Sequence, residues 1–282
     1  MSIQTYQFNF GELEGFVLND FSGAHSADEL IANPNIEELR QLTHEFSFTL
    51  NEIPVGYNNI LIKMGNQIVL VDAGIPRPNG TLFMGLEELR IDPGDIDTII
   101  ITHSDMDHIG GILNEEGERS FPNARYILLD DVWQYWSTEE RRAELARLNK
   151  WTIDKTQFAW KTYSKIKDLI HPVKTGNEFI PGFQLLPALG HRYDHSILKI
   201  TSSNKHLIHI SDAIVHPLFM AKVDWYSTYD ADPAQAIETK KKLLKMCSSE
   251  NSLVFGAHFP FPGLGHVLQE HESWKWLPIE RA

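Results

Sequence analysis

From residue 51 onward, short apolar runs alternate with polar punctuation. "NNILIKM" and "QIVLVDAG", split by Gly65 and Asn66, predict a β-hairpin that ends in Asp72. "LFMGLEELRI" has helical period, "IDTIIITH" predicts a buried strand and "IGGILNEEG" a short helix. "ARYILLDD" predicts a further strand, after which helical character dominates from "WQYWSTEERRAELARLN" to "WKTYSKIKDLI". "FQLLPALGH", "SILKITSS" and "HLIHISDA" predict three more strands, "DPAQAIETKKKLLKMCS" a helix and "SLVFGAH" a last strand. Upstream, a strand-like "GFVLND" precedes a helix-prone stretch in which Ser26 and Glu29 form a capping box. The pattern reads as one α/β domain over 1–282. Residues 1–50 flank a core that starts later, and 131–180 form a helical insertion or cap.

Several of these strands run straight into polar residues: "VLVD" into Asp72, "IIITH" into His103, "LLPALGH" into His191, "LIHISD" into Asp212 and "LVFGAH" into His258. Strand ends converge on one edge of a sheet, so these residues are expected to gather on a rigid scaffold. The densest stretch is "THSDMDHIGG", residues 102–111. If the chain is extended from 103 to 105, His103 and Asp105 point the same way. The adjacent Asp107 and His108 must diverge, which suits two metal positions better than one.

Composition narrows the partners. A formal charge of −13 disfavours nucleic acid phosphates and anionic membranes. The basic group "TKKKLLK" has helical spacing and reads as a solvated helix face. Cys247 is the single cysteine, which excludes an internal disulfide; its setting at a helix end predicts a buried, inert thiol. "MSIQTYQFNF" lacks the pattern of a secretory signal, and no window approaches a membrane span, so a cytoplasmic location is expected. A small molecule is the expected partner.

Five motifs in order then carry a resemblance. "VDAG", "THSDMDHIGG", "GHRYDHS", "SDA" and "GAH" resemble those of the metallo-β-lactamase superfamily from about residue 53 to 266. The tail "GAHFPFPGLGHV" and "DADPAQAIETKKKLL" look most like the branch of methyl parathion hydrolase and the acyl-homoserine lactonases. The resemblance implies a four-layer αββα sandwich with mixed sheets. It also implies one metal site of His103, Asp105 and His191, another of Asp107, His108 and His258, and Asp212 bridging the two. Asp72 and His195 would steady ligands without binding metal. The implied activity is hydrolysis of a lactone, ester or phosphotriester by a hydroxide shared between two divalent ions, with Asp107 and Asp212 catalytic.

Position 105 departs from the pattern, which has a histidine there. Counting Asp105, Asp107 and Asp212 with one hydroxide cancels the charge of a divalent pair, predicts a milder Lewis acid and admits iron or manganese beside zinc. On that count, replacing Asp105 by His shifts preference toward zinc. The same Asp motivates a second reading as a diiron oxidoreductase, and a third is a non-catalytic ligand sensor. Lactonases of the family often carry a tyrosine soon after the bridging Asp; "SDAIVHPLF" has none, leaving Tyr226 or Tyr229 as candidates. Phe21, Trp133, Trp136, Trp225, Tyr226, Phe259 and Phe261 are candidate pocket walls. His25, His44, His171, His206, His209, His216, His266 and His271 lack motif support and are expected to be structural or on the surface. The segment 131–180 would cap the site or form a homodimer contact.

Overall fold

The computed structural model describes residues 4–271 and 273–280. Among the described residues, fourteen strands build two mixed sheets of seven. In chain order, β1 (Gln4–Phe10), β2 (Leu13–His25), β3 (Ile53–Met64), β4 (Gln67–Val71), β5 (Thr98–Ile100), β6 (Arg125–Leu129) and β7 (Ile170–Val173) lie side by side in the first. Pairing is antiparallel from β1 to β4 and parallel from β4 to β7. The second sheet holds β8 (Glu178–Ile180), β9 (Phe183–Pro187), β10 (Ser196–Ser202), β11 (Lys205–His209), β12 (Leu253–Phe255), β13 (Leu264–Glu270) and β14 (Ser273–Pro278), again as neighbours in sequence order. Within it only β11 and β12 pair in parallel.

Alternation along the strands decides which residues face where. Leu198 and Ile200 of β10, Leu207 of β11 and Phe255 of β12 join the core that also contains Val69, Leu70 and Ile99 of the first sheet. Their neighbours Ile197, Ile208 and Val254 point to the opposite face and pack with Leu243, Leu244 and Cys247. That second face is covered by a helix over Pro233–Ser249, opened by Asp232 as N-cap with Pro233 at its first position. In it Cys247 is buried, and burial pushes its thiol up to about 12. Helical segments thus flank two stacked sheets, as the sandwich requires.

Helices are numbered in chain order: α1 (Ala27–Leu30), α2 (Ile36–Glu45), α3 (Leu82–Glu88), α4 (Met106–Ile109), α5 (Asp130–Ser137), α6 (Glu139–Leu148), α7 (Ile153–Ile166), α8 (Leu218–Ala221) and α9 (Pro233–Ser249). The capping box of Ser26 and Glu29 is present, but Pro34 follows closely and the helix-prone stretch splits into α1 and α2. The first fifty residues do more than flank: β1 and β2 are the outer strands of the first sheet, with Val17 and Leu18 in its core. The helix expected at "IGGILNEEG" begins earlier, at Met106, with Asp105 in the N-cap position, and continues as a short 3-10 turn over Gly110–Ile112. The expected solvated face of "TKKKLLK" has one exception, Lys240, which is buried and donates to the Trp225 carbonyl. Among the described residues no helix is long and apolar enough to cross a membrane.

Gly111 shows how tightly the chain folds beside the strand ends. Its N–H donates to the Ala73 carbonyl at 3.0 Å, and a Cβ there would lie 2.2 Å from that same oxygen. Only glycine lets the segment after α4 press against the turn that follows β4.

Candidate metal centre

The strand ends do converge. Asp72 follows β4, His103 follows β5, Asp212 follows β11 and His258 follows β12. His191 reaches the same place from the loop between β9 and β10, and Asp107 and His108 from α4. Asp72 and Ser211 adopt left-handed backbone conformations, φ 59° and 45°, which cost of order 1–3 kcal/mol each and are tolerated where surrounding bonds fix them. At Ser211 those bonds are explicit. Its N–H donates to His209 Nδ1, its hydroxyl to Thr102 Oγ1, and the next N–H, of Asp212, to His195 Nε2.

The histidine rings are oriented from behind. His108 Nδ1 faces Asp72 Oδ2 at 2.8 Å, His103 Nδ1 the Thr102 hydroxyl at 3.1 Å, His191 Nδ1 Asp230 Oδ1 at 3.2 Å and His258 Nδ1 the Gly56 carbonyl at 3.0 Å. An acceptor at each Nδ1 places a proton there, so that in the neutral ring each Nε2 carries the lone pair. Those four Nε2 atoms point at one small volume together with three carboxylates. In one half, Asp212 Oδ2 lies 3.4 Å from His191 Nε2 and 3.9 Å from His103 Nε2, and Asp105 Oδ2 lies 3.6 and 3.9 Å from the same two atoms. In the other, His108 Nε2 is 3.5 Å from Asp107 Oδ2 and 3.2 Å from Asp212 Oδ1, and His258 Nε2 is 3.3 and 3.1 Å from Asp107 Oδ2 and Asp212 Oδ2.

A tetrahedron of donors about 2.0–2.1 Å from a zinc-sized ion has edges of roughly 3.3 Å. The second half matches that spacing and the first is slightly wider. Moreover, His103 Nε2, His108 Nε2, His191 Nε2 and Asp212 Oδ1 are buried with no hydrogen-bond partner among the described residues. Buried polar atoms are seldom left so, and four of them aimed at one point fit a pair of cations. His195 belongs to a different part of the arrangement. Its Nδ1 donates to the Ala188 carbonyl at 2.9 Å and its Nε2 accepts the Asp212 N–H at 3.0 Å, so both nitrogens are used and the ring steadies Asp212.

The field in the cluster favours positive charge. Burial disfavours a proton on His258, but Asp212 and Asp107 outweigh it and raise the group to about 10. His108 is raised in the same way by Asp212, Asp107 and Asp72 against the cost of burial. A divalent cation would be drawn by the same carboxylates. His103, wholly buried and beside His108, is instead pushed well below its ordinary value.

Asp105 stands apart from the other carboxylates. Arg192 Nε donates to its Oδ1 at 2.9 Å, Arg192 Nη2 to its Oδ2 at 2.5 Å and Trp151 Nε1 to its Oδ1 at 3.1 Å. Burial pushes the Asp105 carboxyl up, yet the guanidinium, with His191 and His103, holds it well below the usual carboxylate range. Neither Arg192 nor Trp151 was among the expected site residues. The signal for Arg192 was its place beside His191 inside the "GHRYDHS" motif.

A cavity of about 280 Å³ opens over the cluster. Its floor is Asp105, Asp107, His191, Asp212 and His258; Val55, Tyr57, Ile75, Met106, Val215 and Tyr229 wall it. None of the seven aromatic residues expected as walls lines this cavity. Trp136, Trp225 and Phe259 are buried in the cores, where most aromatic side chains end. Phe21 lines a neighbouring hollow that shares Tyr57 and Ile75, and Phe261 a separate groove. Of the tyrosines weighed, Tyr229 lines the cavity and Tyr226 does not. His25, expected to be structural or on the surface, also lines it.

The helical segment grips the motif loops. Besides Trp151, Asn149 donates to Asp194 at 2.9 Å and accepts the Tyr193 N–H at 2.7 Å, Tyr163 pairs with Ser104 at 2.9 Å, and Lys155 reaches the cavity rim. On the other side, Asp20 accepts the N–H groups of Ile75 and Leu82 at 2.7 Å each, pinning the loop that carries the Ile75 wall.

Known proteins share this architecture. A dizinc quorum-quenching lactonase, AidC, superposes with a TM-score of 0.88 at 22% identity, over 99% of both chains. A hydrolase of the beta lactamase superfamily, AbOPH, gives 0.90 at 22% identity over 100% of this chain and 99% of its own. A probable metal-dependent hydrolase from Staphylococcus aureus gives 0.78 at 18% identity, over 98% of this chain and 100% of that one. In sequence, the Anti-Pycsar protein Apyc1 of Saccharibacillus brassicae is 31% identical over 84 residues, which span 27% of this chain and 33% of that protein. The model of the metallo-beta-lactamase superfamily matches residues 53–258, and the chain belongs to that superfamily.

Proposed function

We propose that this chain is a metal-dependent hydrolase that uses water, activated at a dinuclear centre, to cleave a small lactone, ester or phosphotriester. The observation that carries the reading is the convergence of four buried atoms with no hydrogen-bond partner among the described residues, on His103, His108, His191 and Asp212, beneath a cavity whose floor includes His191 and Asp212. His103, Asp105 and His191 would hold one cation and Asp107, His108 and His258 the other, with Asp212 between the two halves. Two divalent ions, if bound there, would supply Lewis acidity and ease the deprotonation of water at neutral pH.

The protein's own part is placement. Asp72, Thr102, Asp230 and the Gly56 carbonyl hold the rings with Nε2 forward; His195 holds the backbone of Asp212. Asp107, the least buried of the three carboxylates, faces the cavity and can take up a proton from the attacking water and pass one to the leaving group. Leu30, Val55, Ile75, Met106 and Val215 give apolar walls that suit an acyl or aryl group and limit water. Zinc suits the mixture of imidazole and carboxylate, and manganese or iron remains the alternative. The pairing of Asp105 with Arg192 weakens the ground for a diiron oxidoreductase, because that carboxylate brings no net charge. The cytoplasm is the compartment we propose.

The test is elemental analysis of the purified chain, followed by a screen of lactones, esters and phosphotriesters with metal-stripped protein under zinc, manganese or iron. Turnover with at least one metal is expected, and Asp212→Ala and His258→Ala should each abolish it in a folded protein. Near-parental turnover in either variant, or a redox-active iron pair with no hydrolysis, would refute the reading.

A further inference from the structure

Asp105 is one half of a buried ion pair. Arg192 is only 3% exposed, and its donors are nearly all committed: Nε and Nη2 to the two oxygens of Asp105, Nη1 to the carbonyls of His191 and Tyr229. A planar fork satisfied in this way is fixed in position and stays charged at any ordinary pH. Asp105 nevertheless keeps Oδ2 turned toward His103 and His191.

Asp107 has no such partner. Among the described residues only the imidazoles of His108 and His258 lie within ion-pair distance of its carboxylate. The surroundings are otherwise balanced: Asp230 stands behind His191 and Asp72 behind His108, Asp194 acts on the side of Arg192 and Asp20 on the side of Asp107, and both halves share Asp212. The halves therefore differ by about one unit of charge, the charge of Arg192. Their spacing differs in the same sense: donor separations are 3.1–3.5 Å around Asp107 and 3.4–3.9 Å around Asp105.

We propose that Asp105 and Arg192 act as one electroneutral unit that makes the two halves unequal, so that the half of Asp107, His108 and His258 binds a divalent cation first and the half of His103, Asp105 and His191 binds a second one more weakly. The inference rests on the dinuclear reading above. It also alters the charge count made from sequence: Asp105 with Arg192 contributes as little net charge as the histidine it replaces. Asp105→His alone then leaves a buried guanidinium facing two histidines, and the outcome is loss of the weaker site rather than a shift toward zinc.

The experiment is calorimetric titration of the metal-stripped full chain with Zn²⁺ against a competing chelator, with bound ions counted after dialysis. The parent should show two steps, the first tighter by about tenfold or more, as a neighbouring unit charge in a partly screened site implies. Arg192→Gln should draw the steps together by tightening the weaker one. Arg192→Lys, which keeps the charge without the fork, should leave the second step weak. Asp105→Asn should remove the second step and preserve the first. Two equal steps in the parent, or a weak step unchanged in a folded Arg192→Gln protein, overturns the proposal. Should Arg192→Gln not fold, Asp105→Asn decides: two ions bound as tightly as in the parent overturns it, and loss of the second alone supports it. A parent that binds no ion refutes the dinuclear reading itself.

Discussion

Asp72 Oδ2 accepts from His108 Nδ1 at 2.8 Å while the same carboxylate takes the backbone N–H and the hydroxyl of Thr102, each also at 2.8 Å. One side chain at the end of β4 thereby fixes a ring on α4 and the chain just beyond β5. The bond to Nδ1 sets the tautomer that turns a lone pair inward. Removing such an orienting partner typically weakens metal binding by roughly 10- to 100-fold. Asp72→Ala should therefore lower cation affinity by that order, read as ions retained after dialysis against a chelator. Full retention would show that His108 needs no help.

Thr102 is the hub of the same network. Its hydroxyl donates to Asp72 and accepts from Ser211 Oγ at 2.9 Å and from His103 Nδ1 at 3.1 Å, so its capacity is filled. Thr102→Val keeps the shape and removes the hydroxyl, leaving three buried groups short of a partner. A loss of roughly 1–3 kcal/mol in unfolding free energy is expected, with weaker cation binding. Chemical denaturation and ion counting measure the two effects, and a variant as stable as the parent would contradict the network's role.

Much of the centre was legible beforehand because it lies where apolar strands stop. A buried strand announces itself by composition, and the polar residues within a few positions of its end sit at the sheet edge, as Asp72, His103, Asp212 and His258 do. Groups that act across the fold gave no such signal. Asp230 and the Gly56 carbonyl orient rings from segments 39 and 202 residues away, and Trp151 reaches Asp105 across 46. The aromatic residues misled for a related reason. Phe259 directly follows the last motif and Trp136 lies in the helical segment, yet burying a large ring is so favourable that both point into the cores. The first two strands were undervalued because β2 earns its place only by pairing with β3, a contact invisible to local pattern.

Tyr229 and Tyr226 were equal candidates as proton donors, and the cavity separates them. Tyr229 borders it at 43% exposure, and burial, with Glu29 and Asp107 nearby, raises its phenol so that it remains a donor at neutral pH. Tyr229→Phe should lower kcat by roughly 100-fold if this group supplies the proton, with KM little changed. Tyr226→Phe should match the parent. Equal effects of the two substitutions on turnover would remove Tyr229 from the reaction.

His216 predicts how stability responds to acid. It is buried with Phe46 and Phe48 around its ring, and its Nδ1 accepts the Leu218 N–H at 3.2 Å. Burial pulls its pKa from 6.5 down to about 3. Between those values the unfolded chain binds a proton on this ring and the folded chain does not. Folding stability therefore falls as pH drops through that window, by at most about 1.4 kcal/mol per pH unit from this group, and is untouched above it. His216→Asn keeps an acceptor two residues before the Leu218 N–H, a bond asparagine makes readily, and abolishes the titration. Its unfolding free energy, measured in denaturant at pH 7, 6, 5 and 4, should start lower than the parent's because the smaller side chain packs less well, then decline less steeply with acid. Parallel declines in the two proteins would mean that the ring is protonated in the fold and that His216 is not the neutral core histidine its surroundings imply.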